Sequence, residues 1–317
     1  MTEATTTDAP RLPPASAAPA ATRSRGVIHD LGYARYVGER RAHGAWRVIA
    51  RHQLQHAWKT WWRWKIFTLI PLLTTVSAGA MMYVSRNKVF EALRANGAAA
   101  RLIDSLVPMT YGFYSKGAFA LTLTLAATSI ARDQETGAFA FYFSRPVRPR
   151  DYIVGKLVGM TAVMASALLV GPVLLTIFRV AISDTMDERL RVLPWVGYAV
   201  LVGVVGSLVY AVSPMAMSAL VGRRWVALGA WAGYWMFGIA IIAGVGSVAW
   251  KPLLAIDPGF ALSNLALRLW GLSGADRNNS IGLWPCLISL LAHAGVGTGL
   301  LYWRVSRQVH ASVGASS

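Results

Sequence analysis

The chain alternates between long apolar runs that carry no Asp, Glu, Lys or Arg and short polar connections. Such runs cover residues 66–85, 157–178, 192–222, 225–250 and 278–303. Each reaches or passes the ~20 residues that a helix needs to cross a hydrocarbon core. A shorter run, 117–131, reaches that length if it begins near Met109 and keeps Lys116 at its outer end. The pattern predicts an all-α membrane protein with six transmembrane helices, at 66–84, 109–131, 153–180, 194–221, 225–249 and 283–303. Pro71 lies early in the first, and Pro214 predicts a kink in the fourth.

A different pattern precedes the first span. In residues 45–65, Trp46, Ala50, Leu54, Ala57, Trp61 and Trp64 recur at helical spacing. Arg47, Arg51, Gln55, Lys59 and Arg63 form an opposing stripe, and Trp58 and Trp62 add to the aromatic content. An aromatic face opposite a basic one predicts a helix lying in the headgroup layer. Residues 1–26 are rich in Pro and Ala with no apolar core, so a disordered cytoplasmic tail and no cleavable leader are expected. Residues 27–44 read as a polar lead-in and 304–317 as a short polar tail. The connections at 85–108, 181–193 and 250–282 are expected outside, the latter with a turn at Asp257-Pro258-Gly259 and a short surface helix over 260–272.

Composition agrees with a membrane domain. Hydrophobic residues make up 55% of the 317 and charged residues 14%, against about 25% charged in soluble domains. The net charge of +17 does not point to nucleic acid, because the basic residues flank the spans instead of forming one soluble patch. With both termini inside, 20 of the 31 Lys and Arg residues fall on the cytoplasmic side, as the positive-inside bias requires. The expected location is the inner (plasma) membrane.

Candidate chemistry is sparse. No G-x-x-x-x-G-K-[ST] loop, H-E-x-x-H, paired-Cys motif or G-x-S-x-G turn occurs. The chain is therefore expected to be a non-catalytic subunit without cofactor or metal of its own. His52 and His56 have i, i+4 spacing but no acidic or Cys ligand nearby, and the lone Cys286 reads as a packing residue. Lys116 in the predicted second span and His293 in the sixth are pathway candidates. Gly229 and Gly233 form a small-xxx-small pair, a candidate dimer-packing seam.

The remaining signal is the polar segment 132–156, RDQETGAFAFYFSRPVRPRDYIVGK. Residues 134–143 predict two to three helical turns with Phe139 and Phe143 on one face and Tyr142 beside them. Pro146 stops the helix, and Arg145, Arg148 and Arg150 return the chain to the membrane. A positive-inside turn explains the bases but not the acids, which gain nothing against anionic lipid. A partner protein explains both.

This segment resembles the first cytoplasmic loop of type-2 ABC (ATP-binding-cassette) transporter permeases. The matching residues are Asp133 and Glu135, Gly137, the run 139–143, Ser144 with Pro146-Val147, Arg150, and Gly155-Lys156. Two positions depart: the first acid is Asp where Glu is more usual, and Ala138 stands where Thr is common.

The resemblance implies that the loop holds a coupling helix docking into a separate ATPase subunit, which carries the ATP and Mg. Asp133, Glu135, Gly137, Phe139, Tyr142, Phe143 and Arg145 become candidate docking residues. The amphipathic stretch, with Trp46, Arg47, Arg51, Trp58, Trp61 and Trp62, becomes an elbow helix. Two permease copies, as a homodimer, and two ATPases would form the working unit. The expected function is substrate export. The alternative is mechanical transmission to an extracytoplasmic accessory protein without transport. A membrane enzyme lacks its motifs, and a passive scaffold leaves the coupling-like helix unexplained.

Overall fold

The computed structural model describes residues 44–86, 97–143, 147–272 and 281–314; for 60–67, 97–100, 102 and 309–314 it describes the backbone alone. Within these residues the chain is helical, with no strand. The predicted tail 1–26, most of the lead-in, and Arg145 lie outside the described residues.

The first helix, α1, runs unbroken from Ala45 to Val84. The amphipathic stretch and the first predicted span are thus one helix of 40 residues, about 60 Å long at 1.5 Å per residue. Pro71 is accommodated inside it. The second helix, α2, covers Gly97–Leu125. It starts twelve residues before the predicted second span and includes Pro108. The chain then turns and forms two short helices, α3 (Ser129–Glu135) and α4 (Ala138–Phe143).

The predicted third span is two helices, α5 (Pro149–Leu168) and α6 (Val170–Ala181), meeting at Leu169. Pro149 opens α5 at the position where a missing N–H costs nothing, and Asp151 occupies its first turn. Short α7 (Met186–Val192) is capped by the Thr185 side chain, which accepts from the Glu188 amide. It leads into α8 (Pro194–Leu220), with Pro214 inside. The fifth predicted span is α9 (Arg224–Gly233), a π-helical turn (Tyr234–Gly238) and α10 (Ile239–Val248). A 3-10 turn (Lys251–Ile256) precedes α11 (Pro258–Leu269), and α12 (Leu283–Gly314) completes the chain. The predicted polar tail from 304 continues α12 as helix.

Four helical stretches are long and apolar enough to cross a membrane: Pro149–Leu168, Met186–Leu220, Arg224–Val248 and Leu283–Gln308. Thr68–Val84 within α1 and the helix Val170–Ala181 are further apolar stretches. The helix α2 does not join them: from Pro108 on it has Lys116 as its one charge but is interspersed with Gly, Ser, Thr and Tyr, which lower its hydropathy.

Two packing features set the frame. α1 lies against α5 through glycines: a Cβ on Gly155 would stand 2.7 Å from the Trp46 carbonyl oxygen, and one on Gly159 3.0 Å from that of Ala50. The buried face of the amphipathic stretch is accordingly Ile49, Ala50, Gln53 and Ala57, while Leu54 and Trp58 stay exposed. α11, expected on the surface, is instead buried through Ala261, Leu262, Asn264, Leu265 and Ala266 among α2, α8 and α12. Asp257 caps it by accepting from the Gly259 amide at 2.8 Å.

Candidate functional site: the α3–α4 segment and its supports

Helix α3 begins without a cap of its own, since the Thr128 side chain makes no capping bond. It ends at Gly137, whose φ of 68° is the left-handed conformation that terminates helices. The Thr136 amide donates to Arg132 O and the Gly137 amide to Gln134 O, closing the last turn.

The four polar residues 132–135 of α3 reach different helices. Asp133 pairs with Lys156 Nζ of α5 at 2.8 Å and accepts from the Tyr152 hydroxyl at 2.6 Å. Lys156 is 7% exposed and Asp133 15%, so each charge depends on the other. Gln134 Nε2 donates to Ala219 O of α8 and to Gln308 Oε1 of α12, both at 3.1 Å. Arg132 Nη1 donates to His56 Nε2 of α1 at 3.3 Å. Burial holds the His56 pKa below its usual 6.5, helped by the charges of Arg132, His52 and Lys156 and opposed by Asp133. Glu135 lies 3.8 Å from Arg224 of α9, both side chains largely exposed.

Tyr152 supports α4 from behind. Phe139 and Tyr142 each pack with ring centroids 5.3 Å from it, and Phe143 at 6.0 Å. Burial, with Asp133 nearby, raises the Tyr142 pKa above its usual value of 10. No residue of α4 is fully buried, and Phe141 faces away from the cluster, 61% exposed.

The structure therefore divides the predicted docking set. Asp133, Phe139, Tyr142 and Phe143 turn toward Tyr152 and Lys156, whereas Glu135 and Phe141 turn to the open side. Tyr152, Gln134, Gln308 and Phe141 had not been singled out, and Lys156 only as part of a motif. The Gly155/Gly159 pair at i, i+4 was the available sign that α5 packs closely on another helix.

Of the amphipathic set, Trp46 is half-buried with the Arg47 guanidinium 5.4 Å from its ring centroid. Arg51 is exposed and Trp58 is 74% exposed. The side chains of Trp61 and Trp62 lie outside those described. Gly229 and Gly233 sit on α9, where an added Cβ would meet no atom within 4 Å.

The two pathway candidates have separate contacts. Lys116 is exposed, with Nζ 5.3 Å from the Phe113 ring centroid. His293 Nδ1–H donates to Ser289 O at 2.8 Å, leaving Nε2 to accept from the Tyr234 hydroxyl at 3.3 Å. Burial raises the carboxyl pKa of Asp257, opposed first by the Gly259 and Phe260 amides and then by the charges of His293 and Lys116. Among the described residues no three His, Cys, Asp or Glu side chains gather as a metal-ligand set.

At the opposite end of the helices a second network forms. Arg179 of α6 donates to Asp104 of α2 at 2.9 Å and to Glu188 of α7 at 2.7 Å. Its other nitrogen donates to Ser183 Oγ at 3.2 Å. Arg86, just beyond α1, bonds Asp184 and lies 3.4 Å from Glu188.

The described residues, all-helical or irregular with no strand and with four such spans among them, have the build of an integral membrane protein. Residues 47–269, more than half of the chain, match the family model described as ABC-2 family transporter protein. The chain belongs to this family: it is a permease subunit of an ABC transporter, a membrane component whose family works with an ABC ATPase. No curated protein matches it.

Proposed function

We propose that this subunit exports its substrate from the inner (plasma) membrane and that α3 and α4 are the coupling element through which a separate ATPase drives it. The observation that carries this reading is a short helix firmly backed and open in front. Phe141 is 61% exposed on a helix whose other three rings are held by Tyr152. An exposed aromatic on a rigid support is the kind of residue that anchors an interface, and Glu135 beside it offers a charge to a basic groove. Asp133 and Lys156 then hold the element in place, while Gly137 lets the chain turn between the two helices.

The rest of the family arrangement is read in the same way. The α1 stretch before the first apolar run serves as the elbow, with α1, α2, α5–α6, α8, α9–α10 and α12 as the six spans. The span Arg224–Val248 is 11% buried, against 22–50% in the other three. Its open glycines, Gly229 and Gly233, support a homodimer seam on that side. Two permeases and two ATPases make up the working unit, with ATP and Mg in the ATPase. An apolar pocket of about 340 Å³ between α1, α2 and α5, lined by Leu54, Trp58, Pro71, Leu121, Val163 and Ala167, favours a hydrophobic cargo.

The test is co-purification. Glu135→Lys combined with Phe141→Ala is expected to abolish recovery of the ATPase while leaving membrane insertion and thermal stability of the permease intact. Undiminished recovery removes the docking assignment.

A further inference from the structure

The first amides of α3 are satisfied from another helix. Ile130 N donates to Ser218 Oγ of α8 at 3.2 Å, and Ala131 N to the same oxygen at 2.9 Å. These are the second and third residues of α3, the two whose N–H groups an N-cap side chain normally receives. Thr128, at the N-cap position, makes no such bond. Ser218 is fully buried, so no water replaces it.

The exchange runs the other way as well. Ala219 lies one residue from the end of α8, where carbonyls have no helical partner. Its oxygen accepts from Gln134 Nε2 of α3 at 3.1 Å and from Arg304 Nε of α12 at 3.4 Å. The start of α3 is therefore capped by α8, and the end of α8 by α3. Both bonds are buried or partly buried, so separating the helices leaves donors and acceptors unpaired in an apolar setting.

Four residues before Ser218 stands Pro214. Proline has no N–H to give to the Tyr210 carbonyl, so the α8 ladder lacks a bond just before the capped segment. A helix joined firmly at its tip and weakened one turn earlier bends at the weak point.

We infer that Ser218 and Gln134 are the positioning residues that carry the motion of the coupling element into the fourth span, with α3 and residues 215–220 moving as one body about Pro214. This rests on the coupling role proposed above. In that arrangement the stroke enters α8 directly, through hydrogen bonds, and not only through the covalent connections on either side of α3.

The experiment uses the full chain with Cys286→Ala, spin-labelled at Thr136 and Leu220 or at Thr136 and Leu201, three exposed positions. Pair distances are measured in lipid nanodiscs, with the ATPase bound and either ADP or ATP with vanadate present. The 136–220 distance is expected to stay the same in both nucleotide states while the 136–201 distance shifts. Ser218→Ala with Gln134→Ala is expected to broaden the 136–220 distribution and lose the 136–201 shift with the ATPase still bound; Ser218→Thr, which keeps the hydroxyl, restores both. A 136–220 distance that changes with nucleotide as much as 136–201 overturns the inference. If no ATPase binds the unaltered chain, the coupling reading fails by itself. The joint is then read in the permease alone, where an unbroadened 136–220 distribution in the double variant overturns it too.

Discussion

The two ends of the helices are both tied by buried charge, but in different ways. At the α6–α7 end, Arg179 is 6% exposed and spends its donors on Asp104, Glu188 and Ser183. Arg86 extends the same cluster to Asp184. At the α3 end a single buried pair, Asp133 with Lys156, sits behind residues that remain open: Glu135, Phe141 and Arg150. The first arrangement closes on itself, and the second holds a surface outward. A cluster that uses its own charges internally suits a clamp; a cluster that leaves an acid and a ring uncovered suits docking.

Removing the central charge of the clamp has the largest expected effect on stability. Arg179→Ala leaves Asp104 and Glu188 partly buried and facing each other without their shared partner. A loss of about 3–5 kcal/mol is expected, the usual consequence of leaving a buried charge uncompensated. Thermal unfolding of the purified protein measures it. A loss below about 1 kcal/mol would make this an ordinary surface cluster and end the contrast between the two ends.

A smaller effect is expected from Asp133→Asn. It strips Lys156 of its counter-charge but keeps an oxygen for the Tyr152 hydroxyl, so about 1–3 kcal/mol is expected. The sharper readout is function. ATPase recovery should fall through misplacement of α4, and the added change Lys156→Met should recover stability without recovering the ATPase. Recovery of both would mean that the pair acts only on the fold.

The smallest effect concerns pH. The His56 pKa is lowered in the folded protein, so between that value and 6.5 the unfolded chain binds the proton more readily. Stability from this group is fully present above pH 6.5 and declines as pH falls through that window. His56→Gln should flatten a shallow drop in melting temperature between pH 6.5 and 5. An equal slope in the variant assigns the drop to other groups.

Four apolar helices of spanning length were legible because a membrane core imposes a composition as well as a length. The fourth, fifth and sixth predicted spans begin within one residue of Pro194, Arg224 and Leu283. The breaks were less legible. The stop at Leu169 follows from Pro172, which has no N–H for the Leu168 carbonyl, although nothing polar marks it within the apolar run. The pattern over 85–108, with Val89, Leu93, Ile103 and Leu106 scattered among charges, predicts an outer loop with a short helix, whereas α2 already runs on from Gly97 and its Asp104 is neutralised by Arg179, 75 residues away. α11 read as a surface helix because Ser263, Asn264 and Arg268 interrupt it. Asn264 is in fact buried, donating to Phe260 O, and Arg268 donates to Ile281 O.

In the α3–α4 segment the residue types were readable and their directions were not. Phe139, Tyr142 and Phe143 form a recognisable cluster, but only Tyr152 shows which side they face, with Phe141 edge-on to Tyr142 and 61% exposed.

By itself the sequence determined that this is a membrane chain, where its apolar runs lie, and that one polar segment between them holds more than a turn needs. Hydrophobic period and charge spacing are local, so they survive in one dimension. Tertiary structure alone decided which charges neutralise one another, which side of α4 is free, and that Ser218 closes the start of α3. Those are facts about residues tens of positions apart meeting at hydrogen-bond distance, and no local pattern encodes them.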